Sequence, residues 1–215
     1  MITPLRCFAI AVVLLCFVQS ASASLITFTD RTAWRAAAGG GIGDITENFD
    51  AVSSDLDYAS GNLQMVGDFS FVYGPGNSAV ARVESSGGSG VNGTPFAYLR
   101  QVNANDTEVS FVGAPSGLMS FGFDFDDTPG FPGPLTLTTS FGDSVIVPAG
   151  SGFIGIVSSS PFSSIRTDTA GTTNVVMAFD NLEGFSAVPE PSSVFGICAM
   201  VCAALFRRNR RRVAG

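Results

Sequence analysis

Carboxylates are the side chains of this sequence that could do chemistry. The chain contains 18 acidic residues and 11 arginines, and it has no lysine and no histidine. Without histidine, Ser-His-Asp and Cys-His nucleophiles, histidine-ligated zinc and an imidazole proton shuttle are excluded. Carboxylate oxygens instead suit a hard cation such as Ca²⁺, or the hydroxyl groups of a sugar.

A first group of oxygen-bearing side chains lies at the two ends of the central segment. Glu47, Asn48 and Asp50 stand near its start, and Asp180 and Asn181 stand near its end. In a jelly roll the first and last strands commonly pair, which predicts that the two groups meet and hold a calcium ion. No Asp-x-Asp-x-Asp-Gly loop accompanies them, and solvated acids at strand ends are the alternative.

A second group lies in the middle of the chain. Asp124, Asp126 and Asp127 run into a Pro/Gly-rich loop that holds Phe131. Carboxylates accept hydrogen bonds from sugar hydroxyls, and an exposed ring stacks on a pyranose face, so this group is a candidate carbohydrate site. Burial of the phenylalanine in a core is the alternative. Four other aromatic residues could supply sugar platforms, Trp34, Tyr58, Tyr73 and Tyr98, although Trp34 is expected to anchor the short helix to the core instead.

Asp124 and Asp126 also form a pair that could hydrolyse a glycosidic bond, one as acid and the other as nucleophile or base. Residues two apart on a strand lie about 7 Å apart, which is compatible with this chemistry. A hydrolytic cleft also needs several loops of substrate-positioning groups, and the Ser-, Thr- and Gly-rich body has few. The sequence therefore predicts that the protein is not an enzyme, with a small glycoside hydrolase as the least favoured alternative.

The elements that must position these residues are short strands. Over Met119 to Asp126 apolar residues alternate with small or acidic ones, which is the pattern of a half-buried strand. Asp30 can cap one short helix over 31–38, which three glycines end. The predicted fold is all-β, an antiparallel β-sandwich of jelly-roll type with this N-terminal helix and a C-terminal hydrophobic helix. Further strands are predicted at Leu25–Thr29, Ile45–Phe49, Phe69–Tyr73, Ala79–Val83, Phe96–Leu99, Val109–Val112, Leu135–Thr139, Ser144–Val147, Phe153–Val157 and Val175–Leu182.

The N-terminus has the pattern of a secretory signal peptide. Arg6 precedes an apolar run from Cys7 to Val18, and the triplet Ala21-Ser22-Ala23 resembles a signal-peptidase site. An apolar helix of about 18 Å is short against the roughly 30 Å hydrocarbon core of a bilayer. We therefore assign residues 1–23 to a cleaved signal peptide.

The C-terminus combines a proline motif, an apolar stretch and a basic cluster. Val188-Pro189-Glu190-Pro191 separates the body at 25–187 from a 188–215 segment with an apolar run over Val194 to Phe206. This run is short for a membrane span, and the basic cluster after it marks a stop on the cytoplasmic side. The cluster consists of Arg207, Arg208, Arg210, Arg211 and Arg212.

In this order, these three features resemble the PEP-CTERM sorting signal of Gram-negative bacteria. The resemblance covers Val188 to Arg212. It implies that a membrane protease, an exosortase, acts near Pro-Glu-Pro and releases or transfers the exported domain. A plain tail anchor, which stays in the membrane, is the alternative.

The body resembles, more loosely, a recurrent type of PEP-CTERM ectodomain. The matching segments are Phe28-Thr29-Asp30 with Trp34, the run from Gly152 to Ser158 with Pro161-Phe162, and Asp180-Asn181-Leu182. This resemblance implies a lectin-like β-sandwich.

Charge is distributed unevenly along the chain. The formal net charge is -7, but Leu25 to Val188 holds 17 acids and 5 arginines, about -12. An acidic body argues against nucleic acid as a partner. The four cysteines all lie in the two apolar ends, so the body has no disulfide. The sequence predicts an exported envelope or matrix protein that binds extracellular polysaccharide, with a passive structural protein as the alternative.

Overall fold

The computed structural model describes residues 24–40, 43–58, 61–74, 81–85, 91–103, 105–127, 131–168 and 174–186. The predicted signal peptide, Pro-Glu-Pro motif, C-terminal helix and arginine cluster lie outside the described residues and stay predictions. Within these ranges, no helix has both the length and the apolarity needed to cross a membrane.

The described residues form one short helix and fourteen strands. Helix α1 spans Arg31–Ala37. The strands are β1 Leu25–Phe28, β2 Ile45–Glu47, β3 Leu56–Asp57, β4 Gln64–Val66, β5 Phe69–Tyr73, β6 Arg82–Glu84, β7 Phe96–Val102, β8 Asn105–Phe111, β9 Leu118–Asp127, β10 Leu135–Thr139, β11 Ser144–Val147, β12 Gly152–Phe162, β13 Ser164–Asp168 and β14 Val175–Ser186.

The strands form two antiparallel sheets. Sheet A has the order β1-β12-β9-β14-β7-β6-β3, and β2 also pairs with β14. Sheet B has the order β4-β5-β8-β13-β10-β11. The two sheets join at one corner, where β7 pairs with the start of β8. The predicted antiparallel β-sandwich is confirmed, while its jelly-roll wiring stays a prediction.

Phenylalanines fill the space between the sheets. Phe121 and Phe179 of sheet A contact Phe69, Phe71 and Phe111 of sheet B, with ring centroids 5.0–6.1 Å apart. Phe121 belongs to the apolar set of β9, and its strand neighbours alternate with it between the core and the outer face of sheet A. The period-two pattern therefore assigned Phe121, Phe123 and Phe125 to the core correctly, whereas Met119, expected with them, is only partly buried.

Helix α1 packs on the outer face of sheet A. The Oδ1 atom of Asp30 accepts a hydrogen bond of 2.7 Å from the Ala33 amide, so the predicted cap is confirmed. Trp34 is fully buried, and its Nε1 donates to the Ile156 carbonyl at 3.1 Å. A Cβ at Gly155 would overlap the Trp34 ring. Trp34 thus anchors the helix on a glycine in the sheet, outside the core between the sheets.

Candidate functional site

A bulge in β14 shapes the outer face of sheet A. Asp180 pairs with Asp124, and Glu183 pairs with Gly122, so β14 has one residue more than β9 over this stretch. Asn181 lies in this extra stretch with a φ of 51°. Asparagine tolerates the left-handed region better than most residues because its side chain can bond locally. The bulge therefore gives a physical reason for the asparagine at position 181.

The bulge brings Asn181 and Asp124 together under the helix. Asn181 Nδ2 donates to Asp124 Oδ2 at 2.9 Å. Arg31 Nη2 lies 3.1 Å from Asp124 Oδ1 and donates to the Asn181 carbonyl at 3.2 Å. The Arg31 guanidinium also stacks on the Phe153 ring, 4.5 Å from its centroid. Asp124 is thus held through both oxygens, Oδ2 by the Asn181 amide and Oδ1 by the ion pair with Arg31.

Glu183 is the buried centre of this arrangement. The residue is 2% exposed, and its carboxylate accepts from Arg31 Nη1 at 3.1 Å, Arg35 Nη2 at 2.6 Å and the Gly43 amide at 2.7 Å. The hydrogen bond to Glu183 raises the pKa of Arg35. Glu183 therefore fixes two guanidinium groups of α1 against the sheet.

An open cleft of about 480 Å³ lies beside these groups. Its walls present charged and amide side chains, so donors and acceptors stand next to one another. Such a surface can bind a small polar ligand, for instance the hydroxyl groups of a sugar. The lining residues are Arg31, Arg35, Thr46, Glu47, Asn48, Asp124, Asn181, Leu182 and Glu183.

The residues of the predicted calcium site are adjacent in the fold but have separate partners. β2 pairs with β14, with Glu47 opposite Leu182, so the expected meeting of the two segments is confirmed. Glu47 Oε1 accepts from the Phe49 amide, and Asn48 Nδ2 donates to Asp50. Across the described residues, no group of three or more His, Cys, Asp or Glu side chains could hold a metal ion. Calcium binding stays a prediction without support from this geometry.

Asp180 is buried next to the 3-10 turn at Val91–Gly93. Its Oδ2 accepts from Thr94 Oγ1 at 2.8 Å, and its Oδ1 accepts from the Asn181 amide at 2.6 Å. Burial raises the pKa of Asp180 to about 6, and the nearby charges of Asp50 and Asp124 act in the same direction. The fold thus favours the neutral form of this carboxyl.

Acid should stabilise the protein through Asp180. Its pKa is raised from 3.8 to about 6 in the folded protein, so the folded state binds this proton more tightly than the unfolded state. The stability gained from this proton is complete below the ordinary carboxyl pKa and is lost as the pH rises through about 6. Between pH 7.5 and pH 5.0, the free energy of unfolding should rise by about 1 kcal/mol more in the wild-type protein than in Asp180→Asn. Urea denaturation at both pH values measures this difference, and equal changes in the two proteins would contradict it.

The second predicted cluster is divided in the structure. Asp124 forms an ion pair with Arg31 of α1, and Asp127 Oδ2 accepts from the Gly150 amide, whereas Asp126, two residues after Asp124 on β9, does not line the cleft. Phe131 is 42% exposed, and the residues between it and Asp127 lie outside the described ranges. Asp124 alone of this cluster lines the cleft.

Most of the suggested aromatic platforms are buried. Trp34, Tyr58 and Tyr73 are fully buried, so they are wrong as sugar platforms. The physical reason is that each polar ring atom finds a backbone acceptor inside the fold: Ile156 O for Trp34, Tyr98 O for Tyr58 and Val102 O for Tyr73. Tyr98 is half-buried, and its hydroxyl donates to Glu84.

Three charged residues of the cleft were absent from the sequence-based candidates: Arg31, Arg35 and Glu183. The two arginines are four residues apart, which places them on the same face of the helix. This spacing could have identified them as a pair from the sequence. Their partner Glu183 lies about 150 residues away along the chain. Only the packing of α1 on sheet A brings them together.

No protein-family model matches the chain. No curated protein matches it. Solved structures to which it is similar include a family 11 carbohydrate-binding module of Clostridium thermocellum in complex with a β-1,3-1,4-mixed-linked tetrasaccharide. The identity is 12%, the overlap covers 69% of this chain and 98% of that chain, and the TM-score is 0.38.

Two further similar structures are carbohydrate-binding modules. One is the family 11 module of the cellulase Lic26A-Cel5E of Clostridium thermocellum, at 10% identity, 58% and 91% coverage and a TM-score of 0.36. The other is the CBM22-1 xylan-binding domain of Xyn10C from Paenibacillus barcinonensis, at 13% identity, 69% and 99% coverage and a TM-score of 0.35. All three TM-scores are below 0.5. The β-sandwich of this chain is therefore defined by its own strand pairing.

Proposed function

We propose that this protein is exported across the inner membrane to the cell envelope, the cell surface or the extracellular matrix, and that its β-sandwich binds polysaccharide there. The two ends of the sequence support export. Signal peptidase would remove residues 1–23. The predicted C-terminal helix would hold the chain in the membrane until an exosortase acts near Val188-Pro189-Glu190-Pro191.

One observation carries the binding half of the proposal, the open cleft beside α1. Arg31 and Arg35 offer donors there, and Asp124 and Asn181 offer acceptors and an amide donor. A sugar hydroxyl both donates and accepts, so it matches such a mixed surface. Glu183 holds the two guanidinium groups in place before a ligand arrives, which lowers the entropy cost of binding.

The negative charge of the body disfavours acidic polysaccharides, and neutral chains are the class proposed. The body carries about -12 by its 17 acids and 5 arginines, and a field of this sign repels polyanions. Within the cleft, Asp124 accepts a hydrogen bond from Asn181 and forms an ion pair with Arg31. These contacts hold its carboxylate in place in the cleft wall and give no support to a glycoside hydrolase that uses it with Asp126.

Two cleft variants should weaken binding to neutral glycans on an array. Arg35→Gln removes a guanidinium donor, and Asn48→Ala removes an exposed amide, so each should lower affinity about tenfold. Arg82→Gln is the matched control because this partly exposed arginine pairs with Glu84 elsewhere on sheet A. If no glycan binds the wild-type protein with or without calcium, the proposed binding function fails. If Arg82→Gln loses as much affinity as Arg35→Gln, the cleft is not the site.

Exosortase processing predicts the residue at which the mature protein ends. Mass spectrometry of protein recovered from the cell surface or medium should find a chain that ends near Pro191. A mature chain that still contains Arg207–Arg212 would contradict exosortase processing and would favour a plain tail anchor.

A further inference from the structure

The outer face of sheet B carries a polar groove. Cross-strand pairing sets Glu108 of β8 beside Arg166 of β13, and Arg166 beside Thr138 of β10. Ser164 lies one pleat along and pairs with Ser110. Together with Thr139, Ser140 and Gly142, these strands enclose about 360 Å³ of open space.

The wall of the groove is fixed by hydrogen bonds. The turn between β10 and β11 bonds back to the start of β13, with the Ser140 amide donating to the Ser164 carbonyl at 3.0 Å and the Ser163 amide donating to Ser140 Oγ at 3.1 Å. Phe141 stands at the tip of this turn and is 54% exposed. The groove is therefore built before any ligand binds, and the exposed Phe141 lies in the chain between Ser140 and Gly142, two residues that line it.

The chemistry of the groove suits a neutral glycan. Arg166 is 52% exposed and lies 3.4 Å from Asp168 and 3.7 Å from Asp106, which leaves guanidinium hydrogens directed to the solvent. Exposed Glu108 offers carboxylate acceptors, and Thr138 offers a hydroxyl. Glu108 lies opposite Arg166 in the strand pairing, so carboxylate acceptors and guanidinium donors stand side by side, and an exposed ring such as that of Phe141 can stack on the apolar face of a sugar.

We propose that this groove is a second glycan-binding site, so that one molecule bridges two polysaccharide chains. The proposal rests on the proposed function. The first cleft opens on the outer face of sheet A, and the groove opens on the outer face of sheet B. With the aromatic core between them, the two sites face opposite directions and cannot serve one short oligosaccharide. Bridging then requires a long polysaccharide and both sites.

The test uses the full mature protein in native gels that contain β-glucan, xylan, glucomannan, galactomannan or dextran. If none of these retards the wild-type protein, the proposed function fails and the second site fails with it. With the polysaccharide that retards it most, Arg166→Ala and Phe141→Ala should each weaken retardation about fivefold. Ile146→Ala is the matched control because Ile146 is an exposed apolar residue of the same sheet.

Turbidity on mixing with the same long polysaccharide measures bridging. The wild-type protein should produce it, whereas Arg166→Ala and Phe141→Ala should lose it while they keep binding through the first cleft. Wild-type retardation and turbidity in both groove variants would overturn the second site and would leave the proposed function standing.

Discussion

Replacing Trp34 with alanine is expected to lower the free energy of unfolding by about 3–5 kcal/mol. The side chain is fully buried between α1 and the outer face of sheet A, where its ring contacts Phe153 and Phe185 at centroid distances of 5.4 Å. The variant leaves a cavity above Gly155 and removes the hydrogen bond to the Ile156 carbonyl. Because Arg31 and Arg35 belong to the same helix, the cleft should lose its wall as well.

Urea denaturation followed by circular dichroism measures this loss. Trp34→Phe is the matched control, since it keeps most of the apolar volume and should lose about 1 kcal/mol for the indole hydrogen bond. A loss below about 1 kcal/mol in Trp34→Ala would show that the helix does not depend on this contact.

Replacing Glu183 with glutamine should lower the free energy of unfolding by about 2–4 kcal/mol. The carboxylate accepts from two guanidinium groups and from the Gly43 amide. A glutamine amide would present donor hydrogens toward these donors, and Arg31 and Arg35 would lose their shared anion. The loss should stay near the lower end of the usual range for a broken buried ion pair because both arginines retain contact with water.

Trp34 fluorescence gives a second readout of this variant, since the chain has one tryptophan. Looser docking of α1 should shift its emission to the red and should increase quenching by acrylamide. Asp168→Asn is the control, because Asp168 pairs with Arg166 at the surface and should change stability by less than about 0.5 kcal/mol. Equal effects of the two substitutions would contradict a special role of Glu183.

The fold could be predicted from the sequence wherever one face of a strand is strongly apolar. β9 was found because phenylalanines repeat at every second position along it, and β14 because it opens on a continuous apolar run from Val175 to Phe179. β13 was missed because only Ile165 and Thr167 point inward while Ser164, Arg166 and Asp168 face the solvent. β3 and β4 were missed because strands of two and three residues give no period.

The site could be predicted only in part. Sequence reasoning found Asp124, Asn181 and the meeting of β2 with β14, because these follow from strand-end acids and from the expected pairing of the termini. It could not find the bulge, since a single residue in the left-handed region leaves no pattern in the sequence. Without the bulge, the position of Glu183 opposite Gly122, and hence its ion pairs with α1, could not be deduced.

The central claim is that neutral polysaccharide binds in the cleft beside α1. The most direct measurement follows the arginine Nε–H signals of the ¹⁵N-labelled protein by NMR during titration with the neutral glycan that binds best on the array. Only five arginines lie between Leu25 and Val188, so the Nε–H signal of each reports on binding near that one side chain. The account predicts that the Arg31 and Arg35 signals move with saturation while those of Arg82 and Arg100 stay fixed. Binding that leaves Arg31 and Arg35 unmoved would contradict it.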